Sequence, residues 1–233
     1  MRGSERAERA GMDAAVTVRW SYAEGSAPRD HARALLRSTA AEVAGVFPAD
    51  VRIGRAASGA PELSGAAEGL LASVSHTRGL VAVAVSRPRD GVSGVGVDVE
   101  AVRPLDADTL AERWFTPDEA AWVRALPPAL RPVGLLDLWT RKESVGKALG
   151  LGLAGGGLRR PVGAPPPGTP PASARPLSAL PGAPELSGAV LPGPAGYVLA
   201  CALRGAGTPP PTVHVTERKA TPCLPSNGHC TKG

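Results

Sequence analysis

The chain has 233 residues, enough for one large domain or two small ones with a buried core. Apolar residues make up 43% and charged residues 20% of the sequence, which excludes a chain that is disordered throughout. The net charge of +5 suits an anionic partner, either a phosphate-rich ligand or an acidic protein, without choosing between them.

Targeting and redox signals are sparse. No stretch reaches the roughly 18 apolar residues that a membrane span needs, and the charged N-terminus lacks the apolar region of a secretion signal. The cysteines at 201, 223 and 230 form no C-x-x-C pair. These features predict a cytoplasmic, reduced protein. A zinc site at Cys223, His229 and Cys230 would lack a fourth ligand, so it is not favoured.

The first half of the chain predicts strands around one helix. An Ala- and Leu-rich stretch at 30–46 has Leu35, Leu36 and Val43 at helical spacing, with Asp30 as a candidate N-cap. Alternation at 16–20 predicts a strand, and further strands are predicted at 51–55, 72–77 and 80–86. The last two form a hairpin, with Arg78 and Gly79 at the turn.

The second half predicts strands at 92–99, 197–203 and 212–216, and helices at 109–114, from 116 onward, and at 135–149. Between 154 and 196 the composition shifts to Pro, Gly, Ala and Ser, which predicts a long loop. Residues 216–233 are predicted to be a disordered tail. This order favours an α+β protein whose halves span 14–95 and 96–215.

The strand at 96–100 reads Gly-Val-Asp-Val-Glu. Alternate side chains of a strand share a face, so Asp98 and Glu100 point the same way. Two carboxylates at that spacing repel each other unless a cation lies between them, and oxygen ligands suit Mg²⁺. A solvated strand face, or a turn leading to Arg103, remains the alternative.

The helix at 135–149 carries Trp139, Glu143 and Lys147 at four-residue steps on one face. A surface pair of Glu143 with Lys147 is the simple interpretation. It does not explain the tryptophan on that face, nor Gly146 and Gly150, which would let a backbone or a ligand approach closely.

Three further places could carry chemistry. Ser75 and His76 end a hairpin strand and could bind phosphate, although a lone histidine is more often structural. Arg55 precedes a Gly-rich turn and could do the same, although a loop arginine is usually only solvated. Glu119 lies three residues after Thr116, and a capping box accounts for that spacing fully.

These segments, in this order, resemble the Sfp-type 4'-phosphopantetheinyl transferases. The resemblance covers roughly residues 50–153. The matching motifs are Gly-x-Asp-x-Glu at 96–100, Trp-x-x-Lys-Glu-Ser-x-x-Lys at 139–147, Ser-His at 75–76 and the Arg-Phe-Phe-x-x-x-Glu-like segment at 113–119. The family implies a pseudo-two-fold α+β fold with the active site in the cleft between two similar halves. It also implies Mg²⁺, coenzyme A as donor, and a serine of an acyl or peptidyl carrier protein as acceptor.

The resemblance also implies roles for individual residues. Asp98, Glu100 and Glu143 would hold Mg²⁺, and Lys147 would stabilise charge on the transferred phosphoryl group and contact coenzyme A. The base that accepts the serine proton would be Glu143 or Glu119, and the capping role of Glu119 favours Glu143. The coenzyme A contacts would further include Arg55, Ser75, His76 and Lys142.

One departure concerns a lysine of the family that would meet a coenzyme A phosphate, because Ala60 stands in its place. The family's single-chain symmetry predicts a monomer, and the basic charge predicts an acidic carrier protein, which could serve fatty-acid, polyketide or non-ribosomal peptide synthesis. Two alternatives stay open: a Mg²⁺-dependent pyrophosphate hydrolase, and a catalytically silent binder of carrier protein or nucleic acid. Nucleic acid is the less favoured ligand, since aromatic residues for base stacking make up only 3% of the chain.

Overall fold

The structure of the protein is a computed structural model that describes residues 16–23, 28–88, 91–152, 156–205 and 212–218. Its first elements, in chain order, are β1 (Val16–Tyr22), α1 (Pro28–Ala44), β2 (Val51–Arg55), β3 (Pro61–Gly65), β4 (Leu71–Thr77) and β5 (Leu80–Ser86). The elements that follow are β6 (Gly94–Ala101), α2 (Ala107–Trp114), α3 (Pro117–Ala125), α4 (Arg131–Ala148), β7 (Ser178–Leu180), β8 (Ala183–Leu191), β9 (Tyr197–Arg204) and β10 (Val213–Glu217).

Within the described ranges, two four-stranded sheets organise the fold. The first has the order β10-β1-β5-β4 and the second the order β6-β9-β8-β7, while β2 and β3 form a separate hairpin. All neighbouring strands are antiparallel except β1 and β10, which are parallel. The predicted α+β class is therefore confirmed. None of the described helices has the length and apolar character needed to cross a membrane.

Each sheet has a long helix on one face, and the other faces of the two sheets share a core. Leu36 of α1 packs with Val83 of β5. In the same way Leu138 of α4 packs into the cluster that covers the second sheet. Between the sheets, Val18 of β1 joins Val97 of β6. Burial of these side chains drives the association, because each removes apolar surface from water.

The two sheets meet along β4 and β6 through side-chain hydroxyls. Alternate residues of β4 point at β6, and their hydroxyls accept hydrogen bonds from amides that face away from β9. Ser73 accepts from the amide of residue 97 at 3.1 Å, and Ser75 and Thr77 accept from residues 99 and 101 at 3.4 Å. We call this line of contacts the hydroxyl seam. It satisfies the edge amides of β6 without a regular backbone ladder.

Most predicted elements are present, with shifted ends. The strands at 16–20, 51–55, 72–77, 80–86 and 197–203, together with the hairpin, are confirmed. The predicted strand at 92–99 is displaced to Gly94–Ala101, and the helix predicted at 135–149 already begins at Arg131. Thr116 caps α3 with Glu119 in a full capping box, as predicted. The candidate N-cap Asp30 is wrong, because it lies inside the first turn of α1.

The prediction of a long loop at 154–196 is wrong in its second part. That region contains β7 and β8, and β8 pairs with β9 from Leu186 to Leu191. Its apolar residues are buried in the second sheet. The apolar run is short, and the prolines and glycines on both sides of it indicated a loop. The strand β3 was missed for the same reason.

The C-terminal end of the described chain returns to the first sheet. β10 follows β9 along the chain yet pairs with β1 over five residues. Residues 216 and 217, predicted to begin a disordered tail, belong to this strand. The rest of the predicted tail, residues 219–233, lies outside the described residues.

Candidate active site

Helix α4 lies against β6 at backbone-contact distance. A Cβ atom added to Gly96 would fall 1.8 Å from the carbonyl oxygen of Ser144, and one on Gly94 would fall 2.1 Å from that of Ala148. Only glycine, which has no Cβ, allows this approach. The contact brings the helix residues Glu143 and Lys147 over the carboxylates of β6.

Asp98 is the most deeply placed of the predicted metal ligands, with 5% of its surface exposed. Its Oδ1 accepts hydrogen bonds from the Ser75 hydroxyl at 2.7 Å and from Lys147 Nζ at 2.8 Å. Lys147 Nζ also donates to the Val97 carbonyl at 3.0 Å. The other oxygen, Oδ2, is buried and has no hydrogen-bond partner in the structure. A buried carboxylate oxygen without a partner is costly, so it marks a place where a ligand would be favourable.

The other two predicted ligands lie beside Asp98. Glu100 accepts a hydrogen bond from Arg103 at 3.1 Å. Glu143 is half-buried, and its pKa is raised above the usual carboxyl value. Burial is the largest cause and the negative charges of Asp98 and Glu100 add to it, while Lys147 opposes it. The structure thus brings the three carboxylates close enough to repel one another.

The donor set fits a hard divalent cation. Among the described residues, no group of three or more Asp, Glu, His or Cys side chains is already arranged around a metal position. Mg²⁺ does not require such a cage, because it commonly takes one or two carboxylates and completes its shell with waters and phosphates. The unpartnered oxygen of Asp98 and the repulsion felt by Glu143 are both features that a cation would relieve.

A basic cleft adjoins these carboxylates. It has a volume of about 740 Å³ and is bordered by α1, the β2–β3 turn, β4 and the end of α4. Arg55, His76 and Lys147, predicted to contact phosphates, line it together with Arg29 and Arg33. The sequence did not indicate the two α1 arginines as binding residues, because a helix arginine facing a cleft has the same local pattern as one facing water. Ala60 also lines the cleft, so the position of the missing lysine shares this cleft with the basic side chains.

Ser75 does not line this cleft. It is buried, and its hydroxyl is engaged with Asp98 and the amide of Val99. Ser73, one pleat earlier on β4, is the serine that lines the cleft. The predicted contact of Ser75 with coenzyme A is therefore not supported by its position.

Glu119 and Lys142 form a buried ion pair away from the cleft. Lys142 Nζ donates to Glu119 Oε2 at 2.6 Å and lies 5.1 Å from the centre of the Phe115 ring. Lys142 is 1% exposed and also donates to the Arg160 carbonyl. This placement does not support the predicted contact of Lys142 with coenzyme A, because its ammonium is enclosed by protein.

The same placement does not support a direct catalytic role for Glu119. The side chain is 1% exposed and accepts hydrogen bonds from the backbone and hydroxyl of Thr116, from Lys142 and from the amide of Val162. Burial alone would raise its pKa, but the hydrogen bond and charge of Lys142, with the two amides, outweigh burial and hold the pKa low. A carboxylate with a lowered pKa and no free oxygen is a poor proton acceptor.

Comparison with known proteins finds a family model that matches the part of the chain containing this site. Residues 94–168 match the 4'-phosphopantetheinyl transferase superfamily. This stretch contains β6 and α4, and therefore all three clustered carboxylates and Lys147. The match confirms the family resemblance that the sequence motifs predicted.

Individual relatives agree with the family match. The chain is 36% identical over 125 residues to the 4'-phosphopantetheinyl transferase HetI of Nostoc sp., covering 52% of this chain and 51% of that protein. It is 31% identical over 121 residues to a 4'-phosphopantetheinyl transferase of Bacillus subtilis, covering 52% and 50%. A third match, at 39% over 88 residues, is to the fatty acid synthase subunit alpha of Candida parapsilosis, of which it covers 4%. The chain spans about half the length of the two transferases.

Proposed function

We propose that the protein transfers the 4'-phosphopantetheine group of coenzyme A to a serine of an apo acyl or peptidyl carrier protein. The reaction depends on Mg²⁺ and releases adenosine 3',5'-bisphosphate. The observation that carries this proposal is the contact of Lys147 with Asp98, beside Glu143 and at the edge of a cleft lined by three arginines. Carboxylates for a metal and basic groups for phosphates are thus adjacent, as transfer of a phosphoryl group requires.

The arrangement of sheets supports a pseudo-two-fold molecule with its site between the halves. The half at 14–95 would contribute α1 and three strands of the first sheet, whose fourth strand, β10, comes from the end of the chain, and the half at 96–215 would contribute α4 and the second sheet. Residues from both halves border the basic cleft: Arg33 from α1 and Lys147 from α4. A cleft of this kind suits a ligand with several charged groups, because donors from two rigid elements converge on it.

Asp98, Glu100 and Glu143 are the residues that would hold the Mg²⁺. When bound, the ion would neutralise charge on the coenzyme A pyrophosphate and favour departure of the nucleotide. The unpartnered Oδ2 of Asp98 and the raised pKa of Glu143 are the structural support for this assignment.

The chain's own side chains account for the remaining steps. Arg29, Arg33, Arg55 and His76 would bind the phosphates of the nucleotide and orient them. The serine hydroxyl of the carrier would attack the phosphorus that bears the pantetheine arm, and the bond from that phosphorus to the bridging oxygen would break. Lys147 would stabilise the negative charge that develops.

Glu143 is the preferred acceptor of the serine proton. Its half-buried side chain lies beside Asp98 and Lys147, next to the proposed metal and phosphoryl group, where the attacking hydroxyl would be. Glu119 is less favoured for this role, because hydrogen bonds engage both of its oxygens. The proton would leave the serine as the new phosphorus–oxygen bond forms, and no oxidant or reductant is needed.

The partner we propose is an acidic carrier protein, because the basic charge of the chain would favour its approach. The acceptor could belong to fatty-acid, polyketide or non-ribosomal peptide synthesis. We propose that the enzyme acts as a monomer, since both walls of the cleft come from one chain.

Intact-mass spectrometry of an apo carrier protein, incubated with the protein, coenzyme A and Mg²⁺, tests the proposal. We expect a gain of one phosphopantetheine that EDTA abolishes. Asp98→Asn and Glu143→Gln should lose the reaction, while Glu112→Gln, an exposed acid on α2, should retain it. Release of free 4'-phosphopantetheine without any carrier would instead establish the pyrophosphate hydrolase.

A further inference from the structure

We propose that Ser75 is a positioning residue that fixes the carboxylate of Asp98 for a divalent cation and does not contact coenzyme A. This inference rests on the proposed function, since it assigns the cation to the same three carboxylates. It concerns a serine in the Ser-His segment, where the sequence predicted a phosphate contact.

The hydroxyl of Ser75, in β4 of the first sheet, contacts two residues of β6 in the second sheet. Its hydroxyl donates to Asp98 Oδ1 at 2.7 Å and accepts from the amide of Val99 at 3.4 Å. Ser75 is 8% exposed and Asp98 is 5% exposed, so water competes little for these bonds. A hydroxyl has one donor and two acceptor sites, so it can accept from the backbone and direct its proton away from that amide. Here the proton is directed to Asp98.

The consequence for Asp98 is a fixed rotation of its carboxylate. Oδ1 receives two donors, Ser75 and Lys147, from opposite elements of the site. Rotating the carboxylate would break both bonds, so Oδ2 stays in its buried, unpartnered position. Groups that hold a metal ligand in this way commonly matter about 10- to 100-fold for metal affinity.

The hydroxyl seam offers a matched comparison within the same strand. Ser73 makes the same kind of bond, accepting from the amide of Val97 at 3.1 Å, and it is equally buried. No contact joins its hydroxyl to a carboxylate in the described structure. Thr77 also joins the seam, so a threonine hydroxyl is compatible with this geometry. Comparing Ser73 with Ser75 therefore distinguishes the effect of the hydrogen bond to the β6 amide from the effect of the hydrogen bond to Asp98.

The test measures Mn²⁺ binding by electron paramagnetic resonance, on the full chain, with neither coenzyme A nor carrier protein present, because Ser73 lines the proposed coenzyme A cleft and has to be compared at the metal site alone. Mn²⁺ prefers oxygen ligands as Mg²⁺ does. We expect Ser75→Ala to weaken Mn²⁺ binding at least tenfold, and Ser73→Ala to change it less than twofold. Ser75→Thr, which keeps the hydroxyl, should restore most of the affinity. Thermal unfolding without metal should show a loss for both alanine variants, because each frees one buried amide of β6, and a larger loss for Ser75→Ala, which also removes a donor from Asp98.

Steady-state kinetics give an independent readout. Ser75→Ala should need more Mg²⁺ for half-maximal transfer while its KM for coenzyme A stays unchanged at saturating Mg²⁺. Unchanged Mn²⁺ affinity with a raised KM would overturn the inference and return Ser75 to the coenzyme A site. Equal loss of Mn²⁺ affinity in both alanine variants would also overturn it, since only the seam would then matter. If the wild-type chain binds Mn²⁺ but modifies no carrier, the proposed transfer is wrong. The role of Ser75 is then still decided by the Mn²⁺ affinity of Ser75→Ala relative to that of Ser73→Ala.

Discussion

At the scale of single residues, two glutamates predicted as alternative bases have opposite surroundings. Glu119 has both oxygens hydrogen-bonded and a cation in contact, so its pKa is lowered. Glu143 is half-buried beside two carboxylates, so its pKa is raised. The local sequence indicated only the capping box of Glu119, because the other groups responsible, Lys142 for Glu119 and Asp98 with Glu100 for Glu143, are distant along the chain.

For Glu143, we predict that Glu143→Gln stabilises the metal-free protein at neutral pH. A raised carboxyl pKa favours the protonated form in the folded state. The ionised group therefore costs stability as the pH rises through the unfolded value, about 4.5, toward the folded one. The gain should be below about 1 kcal/mol, since solvent screens a half-exposed charge.

Calorimetry of Glu143→Gln at neutral pH and near pH 4, with and without Mg²⁺, checks this. The gain in unfolding temperature should shrink at the lower pH, where the wild-type carboxyl is protonated, and stabilisation by Mg²⁺ should largely disappear. A wild-type response to Mg²⁺ in the variant would remove Glu143 from the metal site.

For Glu119, we predict that Glu119→Gln lowers the free energy of unfolding by about 3–5 kcal/mol, because it leaves the Lys142 ammonium buried without its carboxylate. The lowered pKa of Glu119 means that this stability is present above the unfolded pKa and is lost as the pH falls through the folded one. Urea unfolding of the variant measures the loss. Asp118→Asn, an exposed neighbour, is the control and should change stability by less than about 0.5 kcal/mol. Similar stabilities for the two variants would contradict the buried ion pair.

At the scale of elements, the two sides of α4 make different contacts. One side carries buried polar groups that hold the segment at 160–175: Asp137 binds Arg175, Arg141 donates to the Val162 carbonyl, and Lys142 donates to that of Arg160. The other side presents Glu143 and Lys147 to β6. The Pro- and Gly-rich segment thus anchors the helix whose opposite side forms the site.

The close approach of α4 to β6 leads to a prediction about Gly96. Gly96→Ala places a Cβ within 1.8 Å of the Ser144 carbonyl oxygen, so the helix must move away from the strand. We expect a loss of at least about 1–3 kcal/mol in unfolding free energy, together with weaker Mn²⁺ binding.

The matched control is Gly188→Ala in β8, where the nearest atoms would lie at an ordinary 3.6 Å. Thermal unfolding and Mn²⁺ titration of both variants provide the comparison. Retention of full metal affinity in Gly96→Ala would show that the helix-to-strand distance does not set the site.

At the scale of the whole molecule, the two sheets are held together by the shared core, by the hydroxyl seam and by the return of β10. Val213 and Val215 of β10 pack against the core between the sheets. Arg19 of β1 donates to Thr216 and forms an ion pair with Glu42 of α1. The last described strand therefore closes the first sheet after the chain has built the second.

We predict that a chain ending at residue 211 unfolds at a lower temperature than one ending at residue 218. The shorter chain lacks β10 and uncovers the edge of β1. The longer one keeps every described contact of that strand, so it should match the full chain. Thermal unfolding by circular dichroism distinguishes the three, and equal midpoints would show that β10 contributes nothing to stability.

The sequence alone determined the α+β class, most strands and helices, the family resemblance and the identity of the clustered carboxylates. These follow from local signals: the alternation that puts Asp98 and Glu100 on one face, and the helical spacing of Glu143 and Lys147. The roles proposed for these residues stay predictions until the variants are measured. Strand β8 was not predicted from the sequence, because its apolar run is short and bordered by turn-forming residues.

Only the tertiary structure decided which polar groups meet. Glu119 and Lys142 became a buried pair, Ser75 became the partner of Asp98, and Arg29 and Arg33 came to line the cleft. Each outcome depends on how α1, α3 and α4 pack on the strands. Local periodicity shows which face a side chain occupies, but packing between elements distant in the chain determines what that face contacts.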